Sequence, residues 1–331
     1  MNPLFVSIII PVFNDDANLP RCLDSVLAQE YKYFECILIN DGSTDNCPII
    51  CDEYKKNDKR FIVFHKKNEG ISKTRQFGFN HATGEYIIFI DSDDWVEPQY
   101  LLNAVKKINE DNTDIIFFDF LAEFSPGKKR YITQNHFAAD NETIISLVLE
   151  GKISSYLWSA AIKREFCHTK NVFFVQNVNY GEDTLFILEL LLNNPQAGYL
   201  PQAHYHHCYN RNSFTRKDVK QKYSERLNFL NQIPLLLEKY NRNDLTAHNF
   251  FPHNDKFEML NSGLFSKKEY HAFFPLTFNR YYKSKTNLHK YLMLFLAETN
   301  FYFLAKRLAV FWRYIVAVKR HLLNRKSKSD Y

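Results

Sequence analysis

Apolar residues in the first 120 positions fall into short, nearly unbroken runs: Phe5 to Val12, Phe34 to Asn40, Phe61 to His65, Tyr86 to Ile90 and Ile115 to Phe120. Runs of this length, rich in β-branched and aromatic residues, predict strands buried on both faces. Between them the period lengthens. Leu19, Cys22, Leu23, Val26 and Leu27 recur at helical spacing, as do Ile71, Arg75, Phe79 and Ala82 behind Gly70. Five strands alternating with four helices predict successive βαβ units and a mostly parallel sheet of the α/β class. Open parallel sheets bind ligands beyond the carboxyl ends of their strands. The candidates for chemistry are therefore Asn14-Asp15-Asp16, Asp41-Gly42-Ser43-Thr44-Asp45, Lys66 to Gly70 and Asp91-Ser92-Asp93-Asp94.

From about Pro126 the regularity fades, and shorter strands and helices are expected to complete one wall of a cleft. Gly181-Glu182-Asp183 precedes an apolar helical run, Leu185 to Leu192, which Asn193-Asn194-Pro195 ends. This order places Glu182 and Asp183 at a helix N-terminus. After Tyr205 to Thr215, charged helical sequence begins at Lys217 and continues to the C-terminal end. No internal repeat is visible.

Composition adds little until it is divided. The 331 residues are 45% hydrophobic and 24% charged, which excludes disorder and a disulfide scaffold. The net charge of +5 hides an asymmetry: Arg280 to Tyr331 carries 12 Lys/Arg against 2 Asp/Glu, while the preceding residues hold 30 against 35. A mildly acidic body thus bears a basic tail. The tail interleaves Leu292, Phe295, Leu296, Phe303, Leu304, Leu308, Phe311, Trp312 and Ile315 with its cations. Such sequence suits an anionic membrane surface, or a packed helical subdomain with a solvated basic face. A nucleic-acid partner is not expected, because the acidic cleft would repel a phosphate polymer. Uncharged stretches such as Tyr291 to Ala297 fall far below the ~18 apolar residues that span a bilayer. Nothing near Met1 has the form of a secretory leader, so the expectation is a cytoplasmic protein, peripheral on the inner face of the plasma membrane if the tail binds lipid. The six Cys are scattered without zinc-ribbon spacing and read as reduced thiols.

The carboxylates after the fourth run carry the strongest chemical signal. Asp91, Asp93 and Asp94 crowd like charges where a buried strand emerges, an arrangement that favours a cation. Oxygen ligands suit Mg²⁺ or Mn²⁺, which bind through one or two carboxylates plus substrate phosphates. A helix cap and turn before Pro98 is the plainer reading of the same residues. Asp41, in a turn with Gly42 and Ser43, could accept from a base or ribose, or form an Asx-turn. Neither G-x-G-x-x-G after the first strand nor G-x-x-x-x-G-K-[S/T] anywhere is present, which argues against a dinucleotide dehydrogenase and a P-loop enzyme.

Ser7-Ile-Ile-Ile-Pro11-Val-Phe-Asn14, Ile39-Asn-Asp41-Gly-Ser-Thr-Asp45, Gly70 through Arg75, and Thr83 through Asp91-Ser-Asp93-Asp94 together resemble family 2 glycosyltransferases in order and spacing. The resemblance covers residues 5 to 215. It implies a GT-A fold, a nucleotide-sugar donor (UDP-linked by expectation), a divalent metal, and transfer of one sugar with inversion. Residues 1–215 would form that domain, with a nucleotide part over about 1–120 and an acceptor part over 121–215, followed by a helical basic region over 216–331. Carried over, Pro11, Asn14 and Asp41 would hold the nucleobase, with Asp41 accepting from the ring N–H. Arg75, beside Gln76 where the family commonly has Asn, would secure the nucleotide; Asp91 and Ser92 would meet ribose or sugar; and Asp93 would bind the metal. Asp183, with Glu182 beside it, would be the base that deprotonates the acceptor hydroxyl. The window Tyr205 to Ser213 resembles the family segment that closes over the diphosphate, so His206 and Arg211 are expected on the donor and His207 on the metal. Trp158 would line the acceptor side, or else pack in the core. The acceptor itself would be lipid-linked or a cell-surface polysaccharide. The alternatives are a degenerate, non-catalytic transferase fold and an aspartate-pair phosphatase of the haloacid-dehalogenase type.

Overall fold

In the computed structural model the apolar runs become strands β1 (Val6–Val12), β2 (Phe34–Asp41), β3 (Phe61–Lys66) and β4 (Tyr86–Phe89). The structure describes residues 3–125, 127–150, 153, 155–209, 219–248, 251–272, 288–299 and 301–326. All seven residues of β1 are buried, because helices cover both faces of a parallel sheet. These four strands pair in parallel in the order β3-β2-β1-β4, with Val6 opposite Phe34 on one side and Tyr86 on the other. Helices α1 (Leu19–Leu27), α2 (Cys47–Asn57), α3 (Ile71–His81) and α4 (Tyr100–Asp111) follow in the predicted places. Leu19, Cys22, Leu23 and Val26 form the buried stripe of α1, as their spacing requires.

The second half of the sheet departs from a simple alternation. A two-residue strand β5 (Trp95–Val96) precedes α4, and β6 (Ile115–Ser125) runs well past the apolar segment into a hairpin with β7 (Lys128–Ile132). The four-residue β8 (Ala160–Lys163) wedges antiparallel between β4 and β6. Strand β9 (Ala197–Cys208) then lies parallel to β6 and antiparallel to β5. The full order is β3-β2-β1-β4-β8-β6-β9-β5, with β7 on β6. Helices α5 (Asn141–Leu149), α6 (Arg164–Lys170) and α7 (Glu182–Leu192) complete this part, and Gly181 opens α7 where the sequence places a helix start.

The chain divides into two compact units: Met1–Val148 with Lys152–Lys217 and Glu238–Asn241, and Leu149–Gly151 with Asp218–Leu237 and Arg242–Tyr331. The helices after β9 are α8 (Val219–Lys239), α9 (Phe251–Ser262), α10 (Lys267–Ala272), α11 (Leu288–Glu298) and α12 (Tyr302–Lys326). Within the second unit α12 packs on α9 and α11 through the small or buried side of Tyr302, Ala305 and Ala309. Lys256 is buried beneath the Tyr270 ring and salt-bridged to Glu298 at 2.6 Å. Among the described residues no helix is long and apolar enough to cross a membrane.

Candidate active site

The loops after β1 and β2 are stitched together before any ligand is considered. Asn14, in the left-handed region at φ 50°, donates its backbone N–H to Ser43 Oγ at 3.0 Å, while its side-chain oxygen accepts from the Thr44 N–H at 2.7 Å. Asn14 is thus exposed beyond the carboxyl end of β1, whereas Pro11 is buried within β1 opposite Ile39. Asp41, at the buried end of β2, accepts from the Lys66 ammonium and from the backbone N–H groups of Glu69 and Gly70, both at 3.0 Å. Three of the roughly four acceptor positions of its carboxylate are therefore used in holding the loop that leads into α3. Gly70 itself sits at φ 89°, and a Cβ there would collide with the Asn179 side chain.

Arg75, expected to secure the nucleotide, lies buried beneath the strand ends. Its guanidinium is buried and points inward, donating to Glu182 Oε1 at 2.6 Å and Asp91 Oδ1 at 2.9 Å. One side chain on α3 thereby joins the carboxyl end of β4, 16 positions from Arg75, to the start of α7, 107 positions from it. Asp183 lies beside Glu182 and accepts from the Thr184 backbone N–H at 2.9 Å. Three carboxylates around one cation leave an excess of negative charge. Burial raises the pKa of Glu182 to about 7; Arg75 opposes the rise, and the Asp183 and Asp91 charges reinforce it. Burial likewise raises Asp183, against the pull of Arg75.

Asp91-Ser92-Asp93-Asp94 forms a tight turn closed by the Asp94 N–H on the Asp91 carbonyl at 3.1 Å. Ser92 Oγ donates to Asp15 Oδ2 at 2.8 Å, and Arg21 on α1 grips the Asp93 carbonyl at 2.6 Å. The last carboxylate turns in. Asp94 is fully buried; its oxygens accept from the Tyr205 hydroxyl and the Cys208 backbone N–H, both at 2.7 Å, and Oδ2 lies 3.2 Å from His207 Nδ1.

Strand alternation separates the two histidines of β9. His207 faces this acidic turn with its side chain about half exposed. Burial works against its protonation, but Asp94 and the nearby charges of Asp91 and Asp93 outweigh that and raise its pKa. His206, expected on the donor, goes to the other face: it is fully buried, stacked on Trp95 at 3.5 Å, and held by Glu123 at 2.7 Å and Glu97 at 2.9 Å. Trp158, expected on the acceptor side, is 3% exposed and lies in an aromatic column with Tyr156, Tyr205 and His207, with near-parallel rings 4.6 to 5.1 Å apart. It backs the site instead of lining a pocket. Arg211 lies outside the described residues.

Asp93 and His207 offer the kind of sparse protein ligand set, completed by phosphates and water, that Mg²⁺ or Mn²⁺ takes. Among the described residues no group of three or more His, Cys, Asp or Glu forms a closed cation site. Sequence reasoning named Asp94 only as part of the acidic cluster and Tyr205 only as the start of the closing window, and it missed the linking role of Arg75. The signal that could have found the last is its position in the apolar stripe of α3.

A family model described as Glycosyl transferase family 2 matches residues 7–169. The uncharacterized glycosyltransferase EpsJ of Bacillus subtilis is 30% identical over 233 residues, spanning 69% of this chain and 67% of that protein. Residues 1–349 of S. aureus TarS, in complex with UDP-GlcNAc, superpose with a TM-score of 0.59 at 20% identity, covering 89% of this chain and 81% of that one. The mannosyltransferase PcManGT of Pyrobaculum calidifontis, in complex with GDP-Man and Mn²⁺, gives 0.52 at 15% identity, covering 93% and 87%. At these identities the two structures establish a shared fold.

Proposed function

The chain belongs to glycosyltransferase family 2, with a GT-A fold and a nucleotide-sugar donor, and from that premise we propose that it moves one sugar from a UDP-sugar to a hydroxyl of a lipid-linked or cell-surface polysaccharide acceptor, with inversion. The observation that carries this reading is the Arg75 bridge, which brings the Asp91 strand end and the Glu182-Asp183 helix start into one site. In inverting transfer the acceptor oxygen attacks the anomeric carbon from the face opposite the diphosphate. The new C–O bond forms as the bond to the diphosphate breaks, and the electron pair leaves with the diphosphate. Asp183 takes the hydroxyl proton; its raised pKa suits that task. Glu182 and Arg75 hold the helix start in position, and Asp91 and Ser92 meet the sugar or ribose. Asp93 and His207 would hold a divalent cation, which when bound stabilises the negative charge developing on the diphosphate.

The phosphatase alternative does not fit membership of a transferase family, and the acidic site speaks against a non-catalytic scaffold. Peripheral contact with an anionic membrane is the companion reading for the tail. Phe303, Phe311 and Tyr314 are 68%, 62% and 68% exposed on α12, and Arg307 is exposed on the same helix. That combination supports an interfacial face. The central test is Asp183→Asn. UDP affinity is expected to stay unchanged while turnover falls by roughly 10²-fold or more. Full activity would move the base elsewhere.

A further inference from the structure

The aspartate that ends the acidic turn has no outward function available to it. Asp94 is fully buried while its neighbours Asp91 and Asp93 are only partly so. Two of its hydrogen bonds have a direction fixed by their donors. The Asp91 backbone N–H donates to the Tyr205 hydroxyl oxygen at 3.2 Å, so that hydroxyl spends its own proton on Asp94 Oδ2 at 2.7 Å. The Cys208 N–H occupies Oδ1 at 2.7 Å. An ionised carboxylate only accepts, so with Asp94 charged the remaining contact, His207 Nδ1 on Oδ2 at 3.2 Å, is one in which the imidazole donates. A ring that carries its proton on Nδ1 presents the Nε2 lone pair on the opposite side. Trp158, stacked at 5.1 Å and 13° on the same ring, holds its plane.

We infer that Asp94 is a positioning residue: it locks His207 with the Nε2 lone pair turned outward and ties β9 to the turn that carries Asp91 and Asp93. Through Tyr205 one buried carboxylate thus sets both the backbone of that turn and the ring on the facing strand. Carboxylate partners of ligating histidines act in this way, and losing one typically weakens metal binding 10–100-fold. The metal consequence rests on the proposed function; the ring orientation does not.

Two measurements separate them. Long-range ¹H–¹⁵N correlation on the unmutated, metal-free chain, above the titration of the ring, is expected to show His207 as the Nδ1–H tautomer; the Nε2–H tautomer would overturn the inference outright. Asp94→Asn keeps the volume and reverses the contact, because the new amide can donate to Nδ1 and drive the proton to Nε2. In calorimetric titration of Mn²⁺ with UDP the variant is expected to lose roughly 10-fold to 100-fold in affinity. In a His207→Gln background the same substitution should change little further. Unaltered affinity in Asp94→Asn, or an equal loss in both backgrounds, would refute positioning through His207. Absence of Mn²⁺-dependent binding in the unmutated chain would remove the metal reading, while the tautomer still decides the role of Asp94.

Discussion

Glu182 offers a prediction whose size follows from its surroundings. The residue is 7% exposed, salt-bridged to Arg75 and adjacent to Asp183, and its pKa is raised by burial to about 7 from an ordinary 4.5. A folded-state pKa above the unfolded one means that the native protein binds the extra proton. The stability this provides is complete below about pH 4.5, where both states are protonated, and is lost as pH rises through 7. The steepest slope is about 1.4 kcal/mol per pH unit, and the accumulated loss is on the order of 3 kcal/mol by about pH 8. Because Asp183 shares the site, the proton belongs to the pair, and Glu182→Gln removes one of its two acids while leaving an oxygen for the Arg75 N–H. Urea unfolding of both proteins between about pH 4 and 8 is the assay. Glu182→Gln should match the parent at the acid end and exceed it by roughly 3 kcal/mol at the alkaline end. A difference that stays constant across this range would show that Glu182 titrates alike in the folded and unfolded chains, and the reading of a charge-strained site would fall.

Two other perturbations test neighbouring parts of the account. Arg75→Met leaves the Asp91 and Glu182 carboxylates without their shared cation, so unfolding at about pH 8 should lose on the order of 3–5 kcal/mol, and less at about pH 5, where Glu182 is protonated. A loss independent of pH would point to packing instead. Phe303→Ser with Phe311→Ser removes two exposed rings from α12 without touching its buried residues. Partition onto vesicles containing phosphatidylglycerol should drop by roughly 10²-fold or more, since each buried ring contributes about 1.5–3 kcal/mol. Unchanged partition would end the membrane reading.

The strands of the nucleotide half were legible because burial on both faces leaves a continuous apolar run, and the residues beyond them were legible because a parallel sheet presents its ligands there. β8 was not. Its four residues carry no period, and only the completed sheet reveals that they part β4 from β6. The histidines show a different limit. Alternation dictates that His206 and His207 face opposite ways, but which of them meets the acidic turn depends on the phase set by pairing to β5, where Trp95 lies opposite His206. That phase is a property of two segments over a hundred residues apart. Arg75 is the opposite case. Its spacing with Ile71, Phe79 and Ala82 already places a cation in an apolar stripe, and a buried guanidinium requires carboxylate partners. The acidic motifs at Asp91 and Glu182 were both in view, so the bridge was implied by the helix period once Arg75 was taken as a buried residue instead of a ligand.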